Sequence, residues 1–184
     1  EIIFTNKCGD IISYKLLNHI DMDTKEGVQL ADNINKMNRT CSLAFGTADN
    51  SIINDVFKYE KTDDNTIVFR KNFNITDSNG SNHPITVAKR YSFIPEEYMF
   101  KLDVVFNSLD EKGLNLDGAA YTLRTSPQIG PHYDPKQNRY ENRQFIAYDG
   151  KKAKKVVLGK NIFKRYEKDF VWGAIEGKYF EEIV

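Results

Sequence analysis

Hydrophobic and polar residues alternate most cleanly along residues 85–107, ITVAKRYSFIPEEYMFKLDVVFN. Val87, Lys89, Tyr91 and Phe93 alternate with Thr86, Ala88, Arg90 and Ser92, and Phe100, Leu102, Val104 and Phe106 alternate with Met99, Lys101, Asp103 and Val105. Successive side chains of a strand point to opposite faces, so two arms of period two joined at Pro95-Glu96-Glu97 predict an antiparallel hairpin with one wet face. A helix would scatter Phe100, Leu102, Val104 and Phe106 around its circumference. This hairpin is expected at the centre of a sheet.

Similar arguments place the other elements. Residues 1–5 and 11–17 are apolar and β-prone around the turn Asn6-Lys7-Cys8-Gly9-Asp10, a first hairpin. The polar residues 18–27 predict a solvated loop, with His19 at its edge as a surface residue. Residues 28–37 fit neither period. Residues 40–45 read as a strand and 49–57 as a turn or a further strand. Residues 57–59 and 66–69 flank Thr62-Asp63-Asp64-Asn65, and 69–75 lead to Asp77-Ser78-Asn79-Gly80-Ser81-Asn82, where Asn79-Gly80 suits a tight reversal. Residues 116–124 predict another strand. In residues 125–133, Pro127, Gly130 and Pro131 predict a fixed, extended excursion that excludes regular pairing. Residues 144–148 and 155–158 predict a hairpin with Asp149-Gly150 at its tip. In residues 170–184, Gly173 and Gly177 weaken a helix while Val171, Trp172, Tyr179 and Phe180 favour a strand, with the single Trp expected in the core.

Turn signals at this spacing with few helix caps predict an all-β, antiparallel β-sandwich. At 184 residues and 40% hydrophobic content, one domain over 1–184 can bury a sizeable core. The formal charge is zero, so no global field points to nucleic acid or a membrane. No apolar run approaches the ~20 residues that cross a bilayer, and the amino terminus has neither Met nor a signal-like apolar region, so the chain looks excised from something longer. Cys8 and Cys41 have no metal spacing and could form a bridge or serve as two small buried hydrophobes.

Candidate chemistry is sparse. His19, His83 and His132 are expected in three separate loops, outside any HExxH or GxSxG pattern. Gly159-Lys160 lacks a glycine-rich phosphate loop, and Asp21-Met22-Asp23 lacks the glycine and glutamate of a calcium loop. The Asn-x-Ser/Thr tripeptides at Asn38, Asn74 and Asn79 carry no weight without evidence of secretion. Aromatic residues of the central hairpin have mainly apolar neighbours, apart from Lys89, Arg90 and Lys101, which argues against nucleic acid. Lys151, Lys152, Lys154, Lys155, Lys160, Lys164, Arg165 and Lys168 form the one basic run, a solvated face or, alternatively, a contact for anionic lipid headgroups. No cofactor, metal or active site is indicated.

The motifs FTNKCGDIISYKLLNH, KRYSFIPEEYMFKLDVVFNS, YTLRTSPQIGPHY, ENRQFIAYDGKKAKKV and VWGAIEGKYF occur in this order along nearly the whole chain. In that order they resemble the large periplasmic (P1) domain of bacterial YidC membrane-protein insertases. The resemblance implies a domain between the first and second transmembrane helices, at the periplasmic face of the inner membrane, folded as a β-supersandwich similar to galactose mutarotases. It implies a family that inserts and helps fold inner-membrane proteins, alone or beside the Sec translocon, with the working groove in a transmembrane part outside this chain. The domain is then a non-enzymatic scaffold, with Sec accessory subunits and nascent membrane proteins as partners. Its binding candidates are Ile129, Gly130, Pro131 and His132 in one motif and Trp172, Tyr179 and Phe180 in another. Cys8 stands where the family commonly has a second glycine, and the family's domain usually continues past the Lys-Tyr-Phe motif, which implies truncation at Val184. The similar mutarotase fold suggests an alternative, a carbohydrate-binding or sugar-active sandwich with His132 as the proton-transfer group. A third option is a peptide-binding surface at an exposed sheet edge.

Overall fold

The expected hairpin forms, with strand β8 (Asn82–Phe93) running back against β9 (Phe100–Ser108) in register from Phe93↔Phe100 to Ile85↔Ser108, but it lies at one side of its sheet rather than at the centre, because among the described residues β9 pairs with β8 alone. Its turn contains Glu96 at φ 66. The computed structural model describes residues 1–36, 38–77, 79–109, 121–126, 128–134, 136, 140–141, 143–156, 164–166 and 169–184. Among these the fold is all-β, built from antiparallel sheets, consistent with the sandwich class. No helix among the described residues is long and apolar enough to cross a membrane.

The remaining strands are β1 (Ile2–Phe4), β2 (Ile11–Ile20), β3 (Gly27–Gln29), β4 (Ala31–Asp32), β5 (Ser42–Phe45), β6 (Lys58–Asp63), β7 (Thr66–Thr76), β10 (Tyr121–Arg124), β11 (Gln128–Ile129), β12 (Gln144–Tyr148), β13 (Ala153–Val156), β14 (Trp172–Glu176) and β15 (Glu181–Ile183). They form four-stranded sheets ordered β6-β7-β8-β9 and β13-β12-β14-β15, a three-stranded sheet β1-β2-β3, and the pairs β5-β10 and β4-β11. The chain comprises two compact units, one of Glu1–Ile3, Ile12–Thr40 and Thr125–Val184, the other of Phe4–Ile11 and Cys41–Arg124.

In the second unit, the β6-β7-β8-β9 sheet buries Phe69, Ile85, Val87 and Tyr91. The ring of Phe4 lies 4.9 Å from Tyr91 and 5.4 Å from Phe69, so the amino-terminal strand closes this core with an aromatic plug. Lys89 occupies the same inward row, with a fully buried side chain. Its ammonium donates to Asp10 Oδ1 and to the Cys41 carbonyl, each at 2.6 Å. Gly9, at φ 63, packs directly on the Phe69 ring, leaving no room for a Cβ. Cys8 beside it adopts φ 56, the left-handed region that favours glycine, so a glycine is the natural alternative at this position. Tyr91 donates to the Gly9 carbonyl at 2.8 Å, and burial pushes its phenol well above the usual value. Cys8 and Cys41 are both buried and form no disulfide, so of the two readings they serve as small core residues.

Several expectations need correction. Strand β2 runs on to Ile20, so the loop of 18–27 shrinks to a turn over which Asp21 Oδ1 accepts from the N–H groups of Asp23 and Thr24. His19 therefore lies in β2 and His83 in β8, where His83 is buried with Nε2 3.0 Å from Asp77 Oδ2; the expectation of three loop histidines holds for His132 alone. The ambiguous 28–37 segment supplies β3 and β4, with Met37 outside the described residues. Residues 49–57 contribute only an isolated bridge, Lys7↔Val56. The proline-rich excursion does pair: Gln128 and Ile129 sit between the prolines and bond to Asp32 and Ala31. Trp172 is half-buried and stacked on Tyr148 at 5.3 Å, because β14 meets β12 on a face that the core only partly covers. Of the strand expected at 116–124, residues 121–124 form β10 and 116–120 lie outside the described residues. The same holds for 157–158 in the hairpin of β12 and β13, for Ser78, Pro127 and Gly159, and for Lys160 and Lys168 of the basic run.

Candidate functional site

Seven residues carry the binding expectation, and the first unit brings most of them together. Strand β11 is only two residues long, too short to hold the 128–133 segment by pairing alone. Arg143 supplies the remaining restraint. Its guanidinium donates to the Ile129 carbonyl at 2.6 Å and the Pro131 carbonyl at 2.7 Å, and reaches Glu141 Oε2 at 3.3 Å. The planar fork of arginine suits two such acceptors at once, and its side chain is 5% exposed, so both bonds are shielded from water. The same guanidinium lies 5.1 Å from the Tyr133 ring centre.

Close approach by two glycines completes the clamp. Gly130 lies against the carbonyl of Gln29, where a Cβ would collide with backbone. Gly177 lies against Arg143 and Ile129, so a side chain there would displace the guanidinium. Gly177 also opens the turn into β15, donating to the Phe180 carbonyl at 2.8 Å. The structure therefore joins Ile129, Gly130 and Pro131 to the 177–180 turn through Arg143. Tyr179 is 70% exposed on this turn, and Phe180 meets His19 edge-on at 5.8 Å. Lys178 pairs with Glu141 at 3.2 Å, a hydrogen bond that raises the lysine above its usual value. Trp172 lies at the other end of β14, roughly 16 Å from Gly177 at ~3.3 Å per residue, and belongs to a different patch.

His132 projects from the clamped segment with its Nδ1 3.1 Å from Asp32 Oδ1; the imidazole is 60% exposed and the carboxylate 12%. Asp21 supports the backbone here. Burial would raise its carboxyl, but the N–H groups of Asp23, Thr24 and His132 outweigh this and hold it below the usual range. An imidazole held by a carboxylate can pass a proton. Among the described residues there is no cluster suited to a metal ion. The mechanically important residues, Arg143, Asp32 and Asp21, were absent from the sequence-based candidates. Asp21 was findable, since an Asp heading the short run Asp21-Met22-Asp23-Thr24 suits an Asx-turn. Nothing local marks Arg143, whose acceptors lie 12 and 14 residues away.

A second patch surrounds Asp149-Gly150. Asp149 Oδ1 accepts from the N–H groups of Lys151 at 3.1 Å and Lys152 at 2.9 Å, and Oδ2 pairs with Lys154 at 2.7 Å. The Lys154 ammonium, then these N–H groups, hold the Asp149 carboxyl far below the usual carboxylate range. Lys151, Lys152, Lys154 and Lys155 are all exposed, as is Val171 beside Gly150.

Curated proteins similar to this chain include two membrane protein insertases. The chain is 37% identical over 190 residues to the membrane protein insertase YidC of Treponema denticola, a match covering 99% of this chain and 32% of the relative. It is 29% identical over 218 residues to the membrane protein insertase YidC of Treponema pallidum, covering 100% of this chain and 35% of the relative. The chain thus spans about a third of the length of the curated relatives it matches. No family model matches it, and no solved structure gives a significant match.

Proposed function

Because this chain is related, end to end, to one segment of the YidC membrane protein insertases, we propose that it is the periplasmic domain of such an insertase, serving as an interaction and scaffolding module at the inner membrane. The single observation that carries this reading is the asymmetry of the match. Nearly all of this chain aligns with about a third of each relative, as expected of one discrete part of a larger machine. The whole 1–184 span acts as one extracytoplasmic domain in this reading. Its partners are nascent membrane proteins and accessory subunits of the Sec translocon, meeting the clamped 128–133 segment and the 177–180 turn. Lys151, Lys152, Lys154 and Lys155 face anionic lipid headgroups, each worth about 1 kcal/mol near a charged surface.

The test uses the parent protein with and without this segment in proteoliposomes of phosphatidylglycerol and phosphatidylcholine, with site-specific crosslinkers at Tyr179 and Lys151. Crosslinks from Tyr179 to Sec subunits or client chains, and from Lys151 to lipid, are expected. Reversing Lys152, Lys154 and Lys155 to glutamate, with the crosslinker kept at position 151, should abolish the lipid crosslinks and leave the protein crosslinks. Tyr179 crosslinking to neither kind of protein would overturn the partner assignment.

A sugar-active reading has one supporting observation, the His132–Asp32 pair at 3.1 Å. The imidazole is largely open to solvent, and fold similarity does not transfer chemistry. The chain is therefore expected to leave the anomer interconversion rate of glucose at its spontaneous value, with His132→Ala indistinguishable. A rate above background that His132→Ala removes would establish the sugar-active reading instead.

A further inference from the structure

Strand β7 is longer than its outer neighbour. It pairs with β8 over its whole length, from Thr66↔Ser92 to Thr76↔Asn82, whereas β6 covers it only as far as Lys58↔Arg70. The chain before Lys58 turns away, with Phe57 donating to the Asn6 carbonyl and Val56 bridging Lys7. Among the described residues, 71–76 are therefore a sheet margin without a strand on one side.

Hydrogen-bond parity identifies the groups on that margin. The N–H and C=O of one strand residue point the same way, and the direction reverses at the next residue. Phe93 donates to the Asn65 carbonyl, and Leu109 donates to the carbonyl of Pro84, which turns the Pro84 backbone towards β9. Odd-numbered residues of β7 therefore bond to β8. The even-numbered Asn72, Asn74 and Thr76 direct their backbone N–H and C=O to the open side, and among the described residues these groups have no backbone partner.

On the side of this sheet opposite β9, the two outer segments differ in how they are protected. Strand β6 carries Lys58, Glu60, Lys61 and Asp63 and a register shift between Lys61 and Asp63, features that discourage further strand pairing. Beyond Lys71 the margin reads Asn-Phe-Asn-Ile-Thr, with no charge and no proline. Beside it lies a groove of about 720 Å³ whose walls combine Val56 and Tyr59 with the charged Lys58, Glu60, Arg70 and Lys71. Val56 is 60% and Tyr59 67% exposed, giving an incoming chain apolar surface to land on.

We propose that residues 71–76 form a strand-addition site that takes an extended, unfolded segment of another polypeptide. The segment pairs its backbone with Asn72, Asn74 and Thr76. Phe73 and Ile75 lie on one side of β7 and Asn72, Asn74 and Thr76 on the other, so the fitting segment alternates apolar and polar residues. Main-chain bonding makes the site tolerant of sequence, which suits a chain not yet folded. This inference draws on edge chemistry alone and is independent of the family assignment.

The test titrates the 184-residue chain with a capped peptide of alternating valine and threonine, and with the same peptide fully N-methylated. Amide exchange and calorimetry are the readouts. The unmodified peptide should bind and slow exchange at Asn72, Asn74 and Thr76, and the N-methylated peptide should not bind. Asn74→Pro removes an outward N–H while keeping the bonds of β7 to β8, and should weaken binding by about tenfold or more. If that variant fails to fold, exchange protection in the unaltered chain decides the matter. Equal binding of the N-methylated peptide, undiminished binding by a folded Asn74→Pro chain, or self-association through this edge without peptide protection would each overturn the proposal.

Discussion

Replacing Lys89 with alanine is expected to lower the unfolding free energy by about 3–5 kcal/mol, because it leaves the buried Asp10 carboxylate without its cation. Both side chains are 0% exposed, so water cannot take over the lost contact. The Cys41 carbonyl loses its donor at the same time, and the Tyr91 ring, 5.5 Å from the ammonium, loses its cation. Urea denaturation of the parent and the variant measures the loss as a fall in midpoint at constant slope. Pairing Lys89→Met with Asp10→Asn should recover most of it, since replacing both charges is far less costly than orphaning one. If Lys89→Ala alone costs less than about 1 kcal/mol, the pair is not a structural element of this core.

The second large effect concerns Glu182. It lies on β15 opposite Ile175 of β14, and burial raises its carboxyl from the ordinary 4.5 to about 7, against the opposing pull of a backbone hydrogen bond at Ser126. Below pH 4.5 the acid is protonated in both folded and unfolded chains and carries no penalty. Between 4.5 and about 7 the unfolded chain releases the proton while the folded chain holds it, so stability falls as pH rises. Above about 7 the buried carboxylate is ionised in both states and the full cost is present. At ~1.36 kcal/mol per unit, the shift amounts to about 3 kcal/mol. Glu182→Gln should therefore raise stability at pH 8 by an amount of this order and change little at pH 4. Denaturation of both chains across this range provides the check, and equal gains at both pH values would show that ionisation is not the cause.

The two residues illustrate how far a linear sequence carries. Alternation along 85–107 placed Lys89 among Val87, Tyr91 and Phe93 on the inward row, and that placement is correct. The aspartate that makes the position tolerable is 79 residues away, in the turn after Phe4, and no periodicity links the two. Glu182 looks in sequence like one of a pair of polar residues at the end of a chain, with nothing to separate it from Glu181. Pairing with β14 turns Glu181 outward and Glu182 towards the interior.

The candidate site divides in the same way. The motif around Ile129, Gly130, Pro131 and His132 stood out by composition, and the hairpin at Asp149-Gly150 was visible from its turn chemistry, with Gly150 at φ 86. The pairing of β11 with β4, the Arg143 clamp and the proximity of Asp32 to His132 were not visible, because each joins segments between 12 and 100 residues apart. Trp172 was assigned to the core on hydrophobicity, but the strand that carries it leaves the indole half-covered against Tyr148.

The sequence by itself determined the class of fold, most strand positions and the kinship with the insertases. Alternation, turn residues and ordered motifs are local properties, written within a few residues of one another. Tertiary structure alone decided which charges are buried, which loop is clamped and which margin of a strand is left open. Those outcomes depend on contacts between distant segments, and on β6 beginning at Lys58 while β7 continues to Thr76.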